Sequence, residues 1–218
     1  AHGSDYNGEY VENGDKPAQK EVRLTATGIL GALTDRKISS ETAKKYGVTI
    51  TRNTDGSIKE HLYPYYEDGK KIAQKIRSVK TKDFRIEGSV RTAELFGSQA
   101  VQSKGKFITI VEGECDAMAA YELMGSKWGV VSVINGASSA SRDIKRNLEV
   151  FNDFESVVIC FDSDTAGKKA ARQVAELFPP SKAKIMSLPT GYKDANEMLK
   201  DNKMQAFMEC WWAAKLFA

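Results

Sequence analysis

The chain has 218 residues, of which 41% are hydrophobic and 28% charged, and a formal net charge of +3. That length suits one medium domain or two small ones, and the composition is that of a globular protein. The apolar runs are too short and interrupted to cross a bilayer as helices, and no export signal is recognisable at the start.

In chain order, the opening Ala-His-Gly-Ser resembles a cloning scar, and polar residues continue to about Lys20. Residues 1–21 are therefore expected to be scar and flexible leader. Residues 22–105 read as a smaller mixed α+β unit. In ISSETAKKYGV, Ser39 or Ser40 is a helix N-cap and a glycine ends the helix. Asp-Gly pairs at 55–56 and 68–69 separate β-rich runs, which predicts hairpins. After the second pair, Ile72, Gln74 and Ile76 alternate with Lys71, Lys75 and Arg77, so the cations are expected on one sheet face. AELFG, 93–97, reads as a short turn or helix. The stretch 69–85 holds seven Lys or Arg and one acid, a local charge of +6 that leaves the remainder at −3. Such a stripe suits a polyanionic partner, although lysines also blunt sheet edges.

From 106 to 200 the pattern becomes regular. KFITIVEGE, WGVVSVINGAS, ESVVICFDSD and KAKIMSLP read as strands. CDAMAAYELMG, SASRDIKRNLEVF, TAGKKAARQVAELF and DANEMLKDN read as helices between and after them. Strand–helix alternation predicts an α/β fold with a parallel sheet flanked by helices. Residues 201–218 read as a C-terminal helix in which Trp211, Trp212, Leu216 and Phe217 pack on their own unit or on a neighbouring one. Cys115, Cys160 and Cys210 form no C-x-x-C pair. The first two read as small core residues, and reduced thiols suggest the cytoplasm. With two histidines, one of them in the scar, a histidine metal site is not expected.

Ligands to open α/β sheets gather at the carboxyl ends of the strands. Here those ends carry Glu112, Glu114 and Asp116, then Asp162 and Asp164, then Asp194 and Glu197. Residues two apart on extended chain point the same way, so Asp162 and Asp164 converge. Crowded carboxylates raise one another's pKa, and a hard divalent cation relieves the conflict. The pattern therefore reads as a Mg²⁺ site, with Mn²⁺ as a substitute, for a phosphate-bearing substrate. The competing reading is that Asp164 and Asp194 are helix N-caps. Glu112, on an apolar strand before Gly113, is a candidate ligand or general base.

VEGECDAM and FDSDTAG resemble the glutamate and D-x-D motifs of the Toprim fold. RKISSETAKKYGV, QKIRSVKTKDFR, LFG, INGASSA and KDANEML accompany them in the order found in the primase half of phage primase–helicases of the T-seven type. The resemblance covers roughly residues 24–215. It implies a primase core that makes short RNA primers from NTPs on single-stranded DNA by metal-dependent nucleotidyl transfer. Glu112, Asp162 and Asp164 match the catalytic and metal-binding acids, with Asp116 and Asp194 as supporting ligands. Lys75, Arg77 and Lys82 match contacts to nucleotide and template. The spacing near Val79 leaves Lys80 as an alternative to Lys82. Asn135 and Ser138 fall near the nucleotide site, and Ser138 also reads as the N-cap of the next helix. The family's four-cysteine zinc module and helicase motor have no counterpart in this sequence. The expected partners are therefore template, NTPs and those modules supplied elsewhere, with no membrane. If the fragment comes from a phage, it belongs in the bacterial cytoplasm. The rival readings are a Toprim nuclease and a non-catalytic DNA-binding module of a helicase.

Overall fold

The computed structural model describes residues 24–217. The scar and leader expected over 1–21 lie outside them. A 3₁₀ turn at Thr34–Arg36 leads into helix α1, Ser40–Lys45. Ser39 is its N-cap, accepting the Thr42 backbone N–H. An antiparallel meander follows: β1 Thr49–Arg52, β2 Ile58–Glu67, β3 Lys70–Ser78 and β4 Phe84–Gly88. Asp68 and Gly69 both have positive φ, the conformation that a two-residue hairpin needs, so β2 and β3 join as the sequence predicts.

One expectation for this unit needs correction. Lys71 leaves the face expected of it. The register shifts between Tyr65 and Tyr66, and Lys71 Nζ donates to Gln74 instead. A bulge of this kind breaks the strict alternation on which the expectation rested. Segment 93–97, read as a short turn or helix, takes the turn form: Phe96 exchanges both backbone hydrogen bonds with Ser132 and Gly97 turns the chain.

The C-terminal unit runs β5 Gly105–Val111, α2 Glu114–Leu123, β6 Gly129–Ser132, α3 Ala140–Arg146 and β7 Phe154–Ile159. It continues with α4 Thr165–Ala175, β8 Ala183–Ile185, α5 Ala195–Lys200, α6 Met204–Trp212 and β9 Lys215–Leu216. The sheet order is β6-β5-β7-β8-β9. The first four strands are parallel, as expected, and β9 adds an antiparallel edge. Two apolar clusters cover the sheet. One joins residues of α2, α5 and α6 to Tyr46, Tyr63, Tyr65 and Phe96 of the N-terminal unit. The other packs residues of α3 and α4 against the sheet. One continuous core thus ties the two units together, and burying Phe96 in it contributes about 1.5–3 kcal/mol.

Part of the tryptophan tail packs on its own unit, while Trp212 and Leu216 are exposed. Trp211 is buried, stacks on Trp128 at 4.8 Å and donates its indole N–H to Thr109 Oγ1. Phe217 lies against the second cluster. Among the described residues, no helix is long and apolar enough to cross a membrane.

Candidate active site

The acids singled out in the sequence gather at the carboxyl rim of the parallel sheet. Glu112 follows β5, and Asp116 lies in the first turn of α2. Asp162 and Asp164 follow β7, and Asp194 precedes α5. Glu112 Oε1 accepts the Asp162 backbone N–H at 3.0 Å, which links two strand ends directly. Burial, and then the charge of Asp162, push the Glu112 carboxyl up to about 7. Burial raises Asp162 as well, against the pull of Lys193. Asp116 is pushed far above the ordinary carboxylate range by burial and by the charges of Asp194 and Asp162.

The N-cap reading of Asp164 and Asp194 holds geometrically. Asp164 and Asp194 are N-caps, accepting the Gly167 and Glu197 backbone N–H groups at 2.9 and 2.8 Å. Asp162 and Asp164 also converge, as the i, i+2 spacing requires, and the Lys193 ammonium bridges them at 3.1 and 3.7 Å. No group of three or more His, Cys, Asp or Glu side chains among the described residues stands as a ready-made metal cage. Lys193 did not stand out in the sequence. It directly precedes Asp194, and its carbonyl accepts the Ser163 N–H, so backbone pairing brings it to the D-x-D pair.

Two glycines keep the rim compact by lacking a side chain. A Cβ on Gly167 would sit 2.3 Å from the Asp162 carbonyl oxygen and 2.6 Å from Glu112 Oε1. Gly113 has an ordinary extended backbone, and a Cβ there would meet Asp116 Oδ2 at 2.7 Å. What the site asks of Gly113 is close approach.

The basic strand faces these acids across a cleft. Lys75 is only 8% exposed, and its Nζ lies 2.5 Å from Glu114 Oε1 and 2.6 Å from the Ile134 carbonyl oxygen. The Tyr65 hydroxyl donates to the same Glu114 oxygen at 2.6 Å. Lys75 is therefore a buried strut between the units, because the face it occupies packs on α2. Arg77 shares that face and lines a cleft of about 190 Å³ with Arg36, Glu114, Asp116 and Asp194. Arg36 and Asn196 close its far side: the Arg36 side chain donates to Asn196 Oδ1, and Asn196 Nδ2 donates to the Arg36 carbonyl. Neither residue stood out in the sequence. Lys80 and Lys82 lie on the exposed connection between β3 and β4 and join no ion pair among the described residues.

Asn135 and Ser138 are exposed on the loop between β6 and α3. Ser138 is not an N-cap of α3. It falls inside a 3₁₀ turn at Ala137–Ser139, and Ser139 takes the position before the helix. The loop is pinned by Asp143, which did not stand out in the sequence. Its Oδ2 accepts the Ile134 N–H at 3.0 Å and the Ser139 hydroxyl at 3.1 Å.

Two family models match. Residues 109–199 match the Toprim-like family, and residues 28–88 match the N-terminal α+β fold of bacteriophage T7 DNA helicase/primase. The chain is 35% identical over 203 residues to the DNA helicase/primase of Enterobacteria phage T3, covering 92% of this chain. It spans only 35% of that relative's length. The primase fragment of the bacteriophage T7 primase–helicase superposes with a TM-score of 0.76 at 37% identity, over 85% of this chain and 75% of that one. A second bacteriophage T7 structure contains lagging-strand DNA polymerase interacting with primase domains bound to an RNA/DNA hybrid and dTTP. One of its chains gives a TM-score of 0.77 at 37% identity, over 87% of this chain and 94% of that one.

Proposed function

Because the chain belongs to the family of the phage T7 primase–helicases, as a homologue of their primase fragment, we propose that it is a DNA primase core. It joins ribonucleotides into short primers along single-stranded DNA. The 3′-hydroxyl of one ribonucleotide attacks the α-phosphorus of the next NTP, a phosphodiester forms and pyrophosphate leaves. One observation carries this reading. A lysine ammonium already bridges Asp162 and Asp164, beside a Glu112 carboxyl held near neutrality.

The rim fits a hard divalent cation. Its donors are all carboxylate oxygens, Glu112, Asp116 and Asp162 are raised by burial and then by neighbouring carboxylates, and an ammonium stands in as counter-charge. Asp162 and Asp164 would hold Mg²⁺, or Mn²⁺ in its place, with Glu112, Asp116 and Asp194 in support. The cation, when bound, supplies charge neutralisation at the reacting phosphate. Glu112 Oε2 is suited to take the proton of the attacking hydroxyl, since its pKa lies near the working pH. Arg36 and Arg77 offer guanidinium groups to phosphate oxygens across the cleft, where a fork of donors matches a phosphate. Lys80 and Lys82 meet the template backbone from the exposed connection, and Asn135 and Ser138 meet the nucleotide. Lys75 serves by position, fixing Glu114 and the loop at Ile134. The units are taken as residues 22–105 for template and nucleotide and 106–200 for chemistry, working beside helicase and zinc-binding modules supplied elsewhere.

The test is primer synthesis on defined single-stranded DNA with NTPs and Mg²⁺. Short RNA is expected from the native chain. Glu112→Gln and Asp162→Asn are each expected to reduce it by about 100-fold or more while the fold persists. Shortening of the DNA without RNA synthesis would replace the proposal with a nuclease.

A further inference from the structure

A second hollow among the described residues shares no lining residue with the cleft between the units. It is a groove of about 880 Å³ on the α4 side of the sheet, bounded by α4, the loop after β8 and β9. Its size falls in the range of about 300–1,000 Å³ typical of small-ligand sites. Asp162 is among its lining residues, so the groove adjoins the acid rim. Phe161, Met186, Leu188 and Phe217 give it an apolar lining. Lys168 and Arg172 stand four residues apart on α4, hence on one helix face, and Lys215 enters from β9. All three cations are exposed, and none joins an ion pair among the described residues. Asp162 is the sole acid of the lining, and Lys193 already neutralises it.

An apolar lining flanked by unpaired cations suits a ligand with a flat base at one end and a chain of phosphates at the other. We infer that this groove binds a ribonucleotide polyphosphate, with its phosphates on Lys168, Arg172 and Lys215 and its base on the apolar lining. Two sources share that chemistry: a free NTP, and the 5′-triphosphate end of a newly made RNA whose other end lies at the acids. The assignment rests on the primase reading for its biological role. The binding itself requires no metal, because cations of the chain hold the phosphates.

The experiment measures binding in EDTA by fluorescence anisotropy, with labelled 5′-triphosphorylated diribonucleotide, its 5′-hydroxyl counterpart and labelled ATP. The proteins are native chain, Lys168→Ala/Arg172→Ala, Lys215→Ala and Glu112→Gln. Native chain should bind a triphosphorylated probe at least tenfold more tightly than the 5′-hydroxyl one. The double variant should lose at least tenfold, Lys215→Ala a few-fold, and Glu112→Gln nothing. Preference for the dinucleotide assigns the groove to nascent RNA, and equal binding of ATP assigns it to free nucleotide. Unchanged affinity in the double variant overturns the proposal, as does a loss confined to Glu112→Gln. If the native chain makes no primer yet binds the probes as described, the primase reading falls and the groove assignment stands.

Discussion

The two sheets handle charge in opposite ways. The antiparallel sheet turns Lys75 inward, where Glu114 and the Ile134 carbonyl satisfy it. The second sheet crowds carboxylates at its rim, raises the pKa of several and offers one exposed lysine in return. A buried charge with every partner in place is architecture. Charges held in an unfavourable state beside a cleft point to a ligand.

The contrast can be broken first at the strut. Lys75→Ala leaves Glu114 buried without its cation and should lower unfolding stability by about 3–5 kcal/mol, read from urea titrations. Arg77→Ala, on the same strand but partly exposed, should leave stability nearly unchanged while weakening NTP binding and flattening its salt dependence. Equal destabilisation by the two variants would show that both are structural.

A smaller effect separates the rim from the strut by pH. Glu112 keeps its proton to about 7 when folded, against an ordinary value of 4.5. The folded state therefore holds more protons than the unfolded one between those values, so stability falls as pH rises through that window. In EDTA the melting temperature should drop from pH 5 to pH 7.5, and Glu112→Gln should flatten that drop. Added Mg²⁺ should restore the loss at pH 7.5 and do little at pH 5.

The smallest effect concerns Lys193, whose side chain is 54% exposed. Lys193→Ala removes a competitor for Asp162 and Asp164. Mn²⁺ affinity by calorimetry should tighten a few-fold, with stability changing by about 1 kcal/mol or less. Weaker Mn²⁺ binding would make Lys193 an organiser of the site.

The particular residues show what the sequence could carry. Strand–helix alternation, the Asp-Gly hairpin and acids at three strand ends are local patterns, and the structure places each as read. Lys75 was assigned to the right face, but alternation cannot say what covers a face, and here it is α2. Lys71 escaped because a bulge shifts the register. Strand β9, two residues long, is too short to carry a periodic signal. Lys193 and Asp143 act through partners 29 or more residues away or on a neighbouring loop, as the contacts to Asp162 and Ile134 illustrate. The sequence left Asp164 open between cap and ligand, and the geometry lets one carboxylate cap α4 while facing Lys193.

We propose that the rim gathers more negative charge than it can hold without a bound cation. Anomalous scattering from crystals soaked in Mn²⁺ tests it most directly. A manganese peak is expected among Glu112, Asp162 and Asp164, with the Lys193 side chain moved aside. A rim without manganese, and Lys193 still bridging the two aspartates, would contradict it.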